Sequence, residues 1–224
     1  MLIYVCISSH GFGHAARQAA LLRELHLLCP HWTLVISTMV DRRFLELVFR
    51  DIPVVLRPVR WDVGMLQADA LGADPAATLE ALKDLEDALP QRLDQEVAWI
   101  SKQDMPVLVI GDIPPVAAEL AEQLQAPLVW MGNFGWDDIY VPLGSAFEGW
   151  VRRARDCYQR GSLLLRCPFS LAMNWKLPET SLTLVAAEPR SIPSALEAEL
   201  QQSPSPNVLV GFGGLGLGLE PSLF

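Results

Sequence analysis

Two histidines and two glycines share one short stretch, Ser8-Ser9-His10-Gly11-Phe12-Gly13-His14-Ala15-Ala16-Arg17. Gly11 and Gly13 let the chain turn tightly and let a ligand approach main-chain N–H groups at the start of a helix. An imidazole just beyond such a turn is suited to taking a proton from a hydroxyl near neutral pH, which makes His14 the candidate base. A base of this kind is improved by a carboxylate that fixes its tautomer and stabilises the imidazolium. Asp112, at the end of the apolar run Val107 to Ile110 and its Gly111-Asp112 extension, is the candidate partner. Its competing role is an N-cap for the helix that follows. The histidines have a competing role too, in capping a turn or bonding to backbone.

Other chemistries fit less well. Gly11-Phe12-Gly13-His14-Ala15-Ala16 satisfies the GxGxxA dinucleotide pattern, but nicotinamide binding also wants an acid at the end of the second strand, where Ser37-Thr38 stands. No GK[ST] follows the glycines, which excludes a P-loop. His10 and His14 are four apart, yet His10 lies in a glycine loop and no HExxH accompanies them, so no metal is expected. Cys6, Cys29, Cys157 and Cys167 show no CxxC spacing and read as reduced, buried thiols.

A second group of residues suits a polyol. Asn133, Trp136 and Asp137 follow a later strand, and Trp61, Asp62, Gln67 and Asp69 sit in the irregular stretch 61–74. Aromatic rings can stack on the C–H face of a sugar while amides and carboxylates bond to its hydroxyls. Taken singly, each of these residues is better read as a loop-packing or turn residue. Arg152, Arg153, Arg155 and Arg160 form a basic helix face that reads as solvated surface, with phosphate contact as the alternative.

These side chains need elements to hold them. Leu2 to Ile7 is a continuous apolar run, the pattern of a strand covered on both faces. Ala15, Ala19, Leu22, Leu25 and Leu28 recur at helical spacing, with Pro30 as a stop. Thr33 to Ser37 gives a strand, Asp41 to Arg50 a short helix, and Val54 to Leu56 a third strand. Asp74-Pro75 then caps a long amphipathic helix through Ile100, in which Pro90 predicts a kink. Val107 to Ile110 and Leu128 to Met131 are further strands, separated by a helix from Pro114 to Leu124. Helix is expected from Gly144 to Arg160, and strands at Leu163 to Leu165 and Leu182 to Ala186. Glu188 to Pro206, rich in proline around a short helical pattern, reads as a linker, and Asn207 to Gly211 as one more strand. Alternating strands and helices predict an α/β fold, a Rossmann-like parallel sheet with helices on both faces.

With 224 residues, 51% hydrophobic and 19% charged, the chain can bury a sizeable core. Its 17 basic against 26 acidic residues leave a net charge of −9, which disfavours nucleic acid and anionic membrane as partners. No apolar run approaches the roughly 20 residues of a transmembrane segment, and Met1 to Ser9 is not a secretory leader, so a cytoplasmic protein is expected.

The run SSHGFGHAAR, with VGMLQADAL, GDIPPVAAELA and GNFGWDDIY in order after it, resembles the amino-terminal lobe of GT-B glycosyltransferases. Within these it is most similar to the glycosyltransferase-like region found in bacterial proteins and fused to plant arabinokinases. The resemblance covers about residues 1 to 215. It implies two Rossmann-like lobes facing across a cleft, the first holding the acceptor and the second most of a nucleotide-sugar donor. It implies sugar transfer to a hydroxyl, with His14 as general base, Asp112 orienting it, and no cofactor beyond the donor substrate. His10, Gly11, Gly13, Trp61, Gln67, Asp69, Asn133, Trp136 and Asp137 become substrate-side candidates, and Gly213 and Gly214 match the first donor-side glycine turn. The domain boundaries that follow are 1–188 for the first lobe, 189–206 for the linker and 207–224 for a truncated start of the second lobe, whose apolar end is expected to promote association. A non-catalytic sugar- or nucleotide-sugar-binding module and a nucleotide-sugar epimerase of the same fold are the competing functions.

Overall fold

The first strand, β1 (Leu2–Ile7), is buried at every position. Its side chains alternate between two layers: Leu2, Tyr4 and Cys6 enter one core, and Ile3, Val5 and Ile7 the other. A strand with helices on both faces has no polar side, which is why its sequence shows no alternation. The computed structural model describes residues 1–67, 72–189 and 191–209, so Asp69, Gly213 and Gly214 lie outside the described residues.

Six further strands join β1: β2 (Thr33–Ser37), β3 (Val54–Arg57), β4 (Val107–Asp112), β5 (Leu128–Gly132), β6 (Leu163–Arg166) and β7 (Glu179–Ser181). All pairings are parallel, in the order β3-β2-β1-β4-β5-β6-β7. Helices α1 (Gly13–Leu28) and α2 (Arg42–Val48) pack Ala15, Ala19, Leu22 and Leu45 on one face. On the other lie α3 (Pro75–Ser101), α4 (Ala117–Gln123), the short α5 (Trp136–Tyr140) and α6 (Glu148–Tyr158). Along α3, Leu82, Leu85, Leu89 and Leu93 are buried at three- and four-residue spacing, with Ile100 two turns further on. Each such burial stabilises the fold by about 1.5–3 kcal/mol. The last helix, α7 (Ser194–Gln202), has no buried residue. Among the described residues no helix is long and apolar enough to cross a membrane, and all four cysteines are free.

From β1 the chain travels outward to β2 and β3, then returns to place β4 on the other side of β1. That reversal opens a crevice at the carboxyl ends of β1 and β4, where parallel α/β sheets bind ligands. The register pairs Ile7 with Asp112, and the Ser8 N–H donates to the Asp112 carbonyl at 3.1 Å. The glycine loop thus leaves the sheet directly beside the last residue of β4.

Pro90 lies within α3, inside one long helix as expected. Other boundaries differ from expectation. The strand expected at Leu182 to Ala186 falls instead at Glu179–Ser181. It is an exposed edge strand whose place is set by pairing with β6, where Arg166 donates to Glu179 Oε2 at 2.8 and 3.1 Å, and such an edge needs no apolar run. The helix expected from Gly144 starts at Glu148, because Gly144 adopts φ +95 between two 3-10 turns. Of the strand expected at Asn207 to Gly211, residues 207–209 are not in a strand, and 210 and 211 lie outside the described residues.

Candidate active site

Helical spacing gathers the site from α1. His14, Arg17 and Gln18 fall at i, i+3 and i+4, so they share one face, and the register of β4 brings Asp112 against it. His14 Nδ1 is 2.8 Å from Asp112 Oδ1. Arg17 donates through Nε to Oδ2 at 2.8 Å and through Nη2 to Oδ1. Gln18 Nε2 donates to Oδ2 at 2.7 Å. The Asp112 carboxylate is completely buried and fully engaged, and it is not the N-cap of α4, which begins at Ala117 without a side-chain cap.

Burial alone would raise the Asp112 carboxyl. The Arg17 charge and the hydrogen bonds from Arg17 and His14 outweigh it and hold the group well below the usual carboxylate range. Burial likewise opposes the charge of Arg17, and the facing carboxylate outweighs it, raising the guanidinium's pKa. An ionised carboxylate only accepts, so Nδ1 of His14 carries the proton it shares with Asp112. Arg17 Nη2 also lies 3.0 Å from Nδ1, but that nitrogen has no lone pair to offer while it donates to Asp112. The other ring nitrogen, Nε2, has no hydrogen-bond partner among the described residues and is not one of their sealed, unpartnered atoms. Its lone pair is left for a proton from outside the chain.

Arg17 extends the network to β5, donating from Nη1 to Asn133 Oδ1 at 2.8 Å. Phe134 meets His14 edge-on at 5.6 Å, and Trp136 meets both Phe134 at 5.4 Å and His10 at 5.5 Å. Trp136 is itself buried, its Nε1–H donating to Asp62 Oδ2 at 2.8 Å. Burial pushes the Asp62 carboxyl up, with the Ser8 hydroxyl and the Trp136 N–H offsetting part of the rise. Asp62 Oδ1 has no hydrogen bond of normal geometry among the described residues. His10 sits on Gly64, where an added Cβ would stand 2.6 Å from its Nδ1, and burial lowers its imidazole below the ordinary value. At the loop itself, Gly11 has φ +83, and Gly13 opens to free space.

The structure therefore brings His10, His14, Asp112, Asn133 and Trp136 together with the glycine loop. It does not bring in the rest. Trp61 is buried in the α3 layer, bonded through Nε1 to Ser37 Oγ at 2.8 Å, so its ring offers no open stacking face. Trp136 shares that limit because its ring is enclosed by His10, Phe134 and Tyr140. Gln67 is exposed in an isolated bridge to Ala73. Asp137 turns away to Arg155, whose Nε is 3.4 Å from Oδ2; burial foremost, and then its neighbour Asp138, raise its carboxyl. Arg153 and Arg160 pair with Glu86, Glu119 and Glu122 of α3 and α4 rather than reaching a ligand. Sequence reasoning left out Arg17 and Gln18. Their spacing from His14 on one helix was the signal available.

Among solved structures, the chain superposes on the glycosyltransferase UGT89C1 of Arabidopsis thaliana in its complex with UDP, with a TM-score of 0.59 at 16% identity, over 99% of this chain and 61% of that one. The UDP-L-rhamnose complex of the same protein gives 0.57 at 14% identity, over 91% and 55%. The fold is that of a GT-B amino-terminal lobe. In sequence, this GT-B lobe is similar to a part of L-arabinokinase from Arabidopsis thaliana, 30% identical over 218 residues, which is 93% of this chain and 20% of that protein. The chain thus spans a fifth of the curated relative and little more than half of the solved neighbours. No protein-family model matches. Asp112 ends β4 and His14 stands in the first turn of α1, so the pair lies at the crevice edge of the lobe.

Proposed function

We propose that the chain is the acceptor-side lobe of a glycosyltransferase that moves a sugar from a nucleotide-sugar donor to a hydroxyl, with His14 as general base. The observation carrying this reading is the His14 Nδ1 to Asp112 Oδ1 contact of 2.8 Å, which leaves Nε2 unpaired beside the glycine loop. In the reaction, the acceptor oxygen forms a bond to the anomeric carbon while His14 Nε2 takes its proton. The bond from that carbon to the donor diphosphate breaks, and the nucleoside diphosphate leaves with the electron pair. Asp112 keeps Nδ1 protonated and offsets the positive charge that develops on the ring. General-base assistance of this type contributes about 10²–10⁴ in rate.

Arg17 and Gln18 position the carboxylate, and Asn133 holds Arg17 in turn. The complexes of UGT89C1 with UDP and UDP-L-rhamnose support a uridine nucleotide sugar as donor class. Gly213 and Gly214 would meet that donor. Four free cysteines suit a reducing cytoplasmic setting. The test is a panel of nucleotide sugars offered with hydroxyl acceptors, scored for binding and for release of nucleoside diphosphate. Release that depends on an acceptor supports transfer. Binding without release favours the binding module, and release of an altered free sugar without an acceptor favours an epimerase.

A further inference from the structure

The carboxyl end of β3 borders a hollow of about 410 Å³ whose walls include Met39, Arg57, Arg60, Arg92, Gln95 and Glu96. It is walled by the segments after β2 and β3 and by α3, and shares no residue with the His14 site. Three guanidinium groups against one carboxylate form a positive concavity on a chain whose net charge is −9. The carboxylate is built in. Glu96 is 3% exposed, and Arg57 donates to it through Nε at 2.9 Å and through Nη2.

Behind Glu96 runs a buried chain of donors. The Trp61 N–H donates to Ser37 Oγ at 2.8 Å, and Tyr4 Oη lies 2.9 Å from Ser37 Oγ and 2.7 Å from Glu96 Oε2. A phenol has one proton, and the carboxylate needs it, so Ser37 donates to Tyr4 and Tyr4 to Glu96. Trp99 lies 4.5 Å beneath the Arg57 guanidinium. Arg57 is thereby fixed in place before any ligand arrives, while its Nη1 has no hydrogen bond among the described residues. Arg92 is anchored by one bond, Nη1 to the Arg60 carbonyl at 3.0 Å. Neither Arg60 nor Arg92 has a carboxylate partner among the described residues.

We infer that this hollow binds the phosphate group of a small phosphorylated ligand, through Arg57, Arg60 and Arg92. Guanidinium forks match phosphate oxygens in pairs, and pre-fixing one fork lowers the ordering cost of binding. Glu96 sets the position of Arg57 and cancels one charge, leaving an excess suited to a mono- or dianion. The inference does not rest on the transfer reading, because a binding module would carry the hollow equally well.

The experiment is calorimetric titration of the whole chain with inorganic phosphate, pyrophosphate and a hexose monophosphate at low ionic strength. Two double variants with equal charge loss are compared, Arg60→Ala with Arg92→Ala, and Arg43→Ala with Arg152→Ala. The second pair is exposed and has no ion pair among the described residues. Saturable binding is expected, weakened about tenfold or more by the first pair and little by the second. Tighter binding of the hexose monophosphate identifies an ester ligand, and tighter binding of phosphate or pyrophosphate identifies the free anion. Absence of saturable binding with all three probes, or equal loss in both double variants, overturns the inference. Circular dichroism on each variant confirms the fold, and His14→Ala is expected to bind all three probes as the parent does.

Discussion

Asp112 shows how one side chain can set the state of a site. It receives His14, Arg17 and Gln18 in a position with no solvent exposure, and its carboxyl lies below its ordinary range. Asp112→Asn leaves the guanidinium of Arg17, 13% exposed, without its counter-charge. Removing one partner of a buried pair costs about 3–5 kcal/mol, and a loss of that order at pH 7 is expected in urea denaturation. A depressed folded pKa adds stability above the unfolded value of about 3.9 and loses it as pH falls through the folded value. The penalty of Asp112→Asn should therefore shrink in acid. Asp62 has the opposite sign, since its folded pKa is raised by burial. Its ionisation opposes folding at neutral pH, and the opposition vanishes below the unfolded pKa. Asp62→Asn keeps an acceptor for Trp136 and should raise the melting temperature by a few degrees at pH 7, about 1 kcal/mol, with the gain disappearing near pH 4. A gain unchanged at pH 4 would show that charge burial is not the cause.

At the scale of elements, the site depends on how loops leave the sheet. Gly64 has φ +78, and a Cβ there would meet the His10 ring at 2.6 to 2.9 Å. Gly64→Ala therefore combines left-handed strain with a clash, and should destabilise the protein by about 1–3 kcal/mol in thermal or urea unfolding. An unchanged melting temperature would mean that the loop repacks around the methyl. Much of this level was legible in sequence. The apolar run of β1, the cap at Asp74 and the leucine spacing of α3 are local signals, and the structure places all of them as read. What could not be read were features fixed by distant partners. The edge strand β7 takes its place from Arg166, and α5 begins where Tyr158, twenty-two residues on, accepts the Trp136 N–H.

Seen whole, the molecule is a doubly covered parallel sheet whose central reversal sets His14 beside Asp112 across 98 residues of sequence. The pair was legible because two strand ends and a glycine loop converge in such sheets. Arg17 carried only its spacing from His14 as a signal, because the counter-charge that gives it its role lies 95 residues away on β4. The rings of Trp61 and Trp136 went the other way. Their composition suits a sugar, and their burial and hydrogen bonds give them a packing role. The Arg57, Arg60 and Arg92 hollow forms no charge run in the sequence, because its residues come from β3, the loop after it and α3. The most direct test of His14 is the rate of sugar transfer by His14→Ala, using the donor and acceptor identified by the nucleotide-sugar panel. With His14 as general base the rate falls about 10²–10⁴ while donor binding is retained; transfer at the parent rate rules that role out.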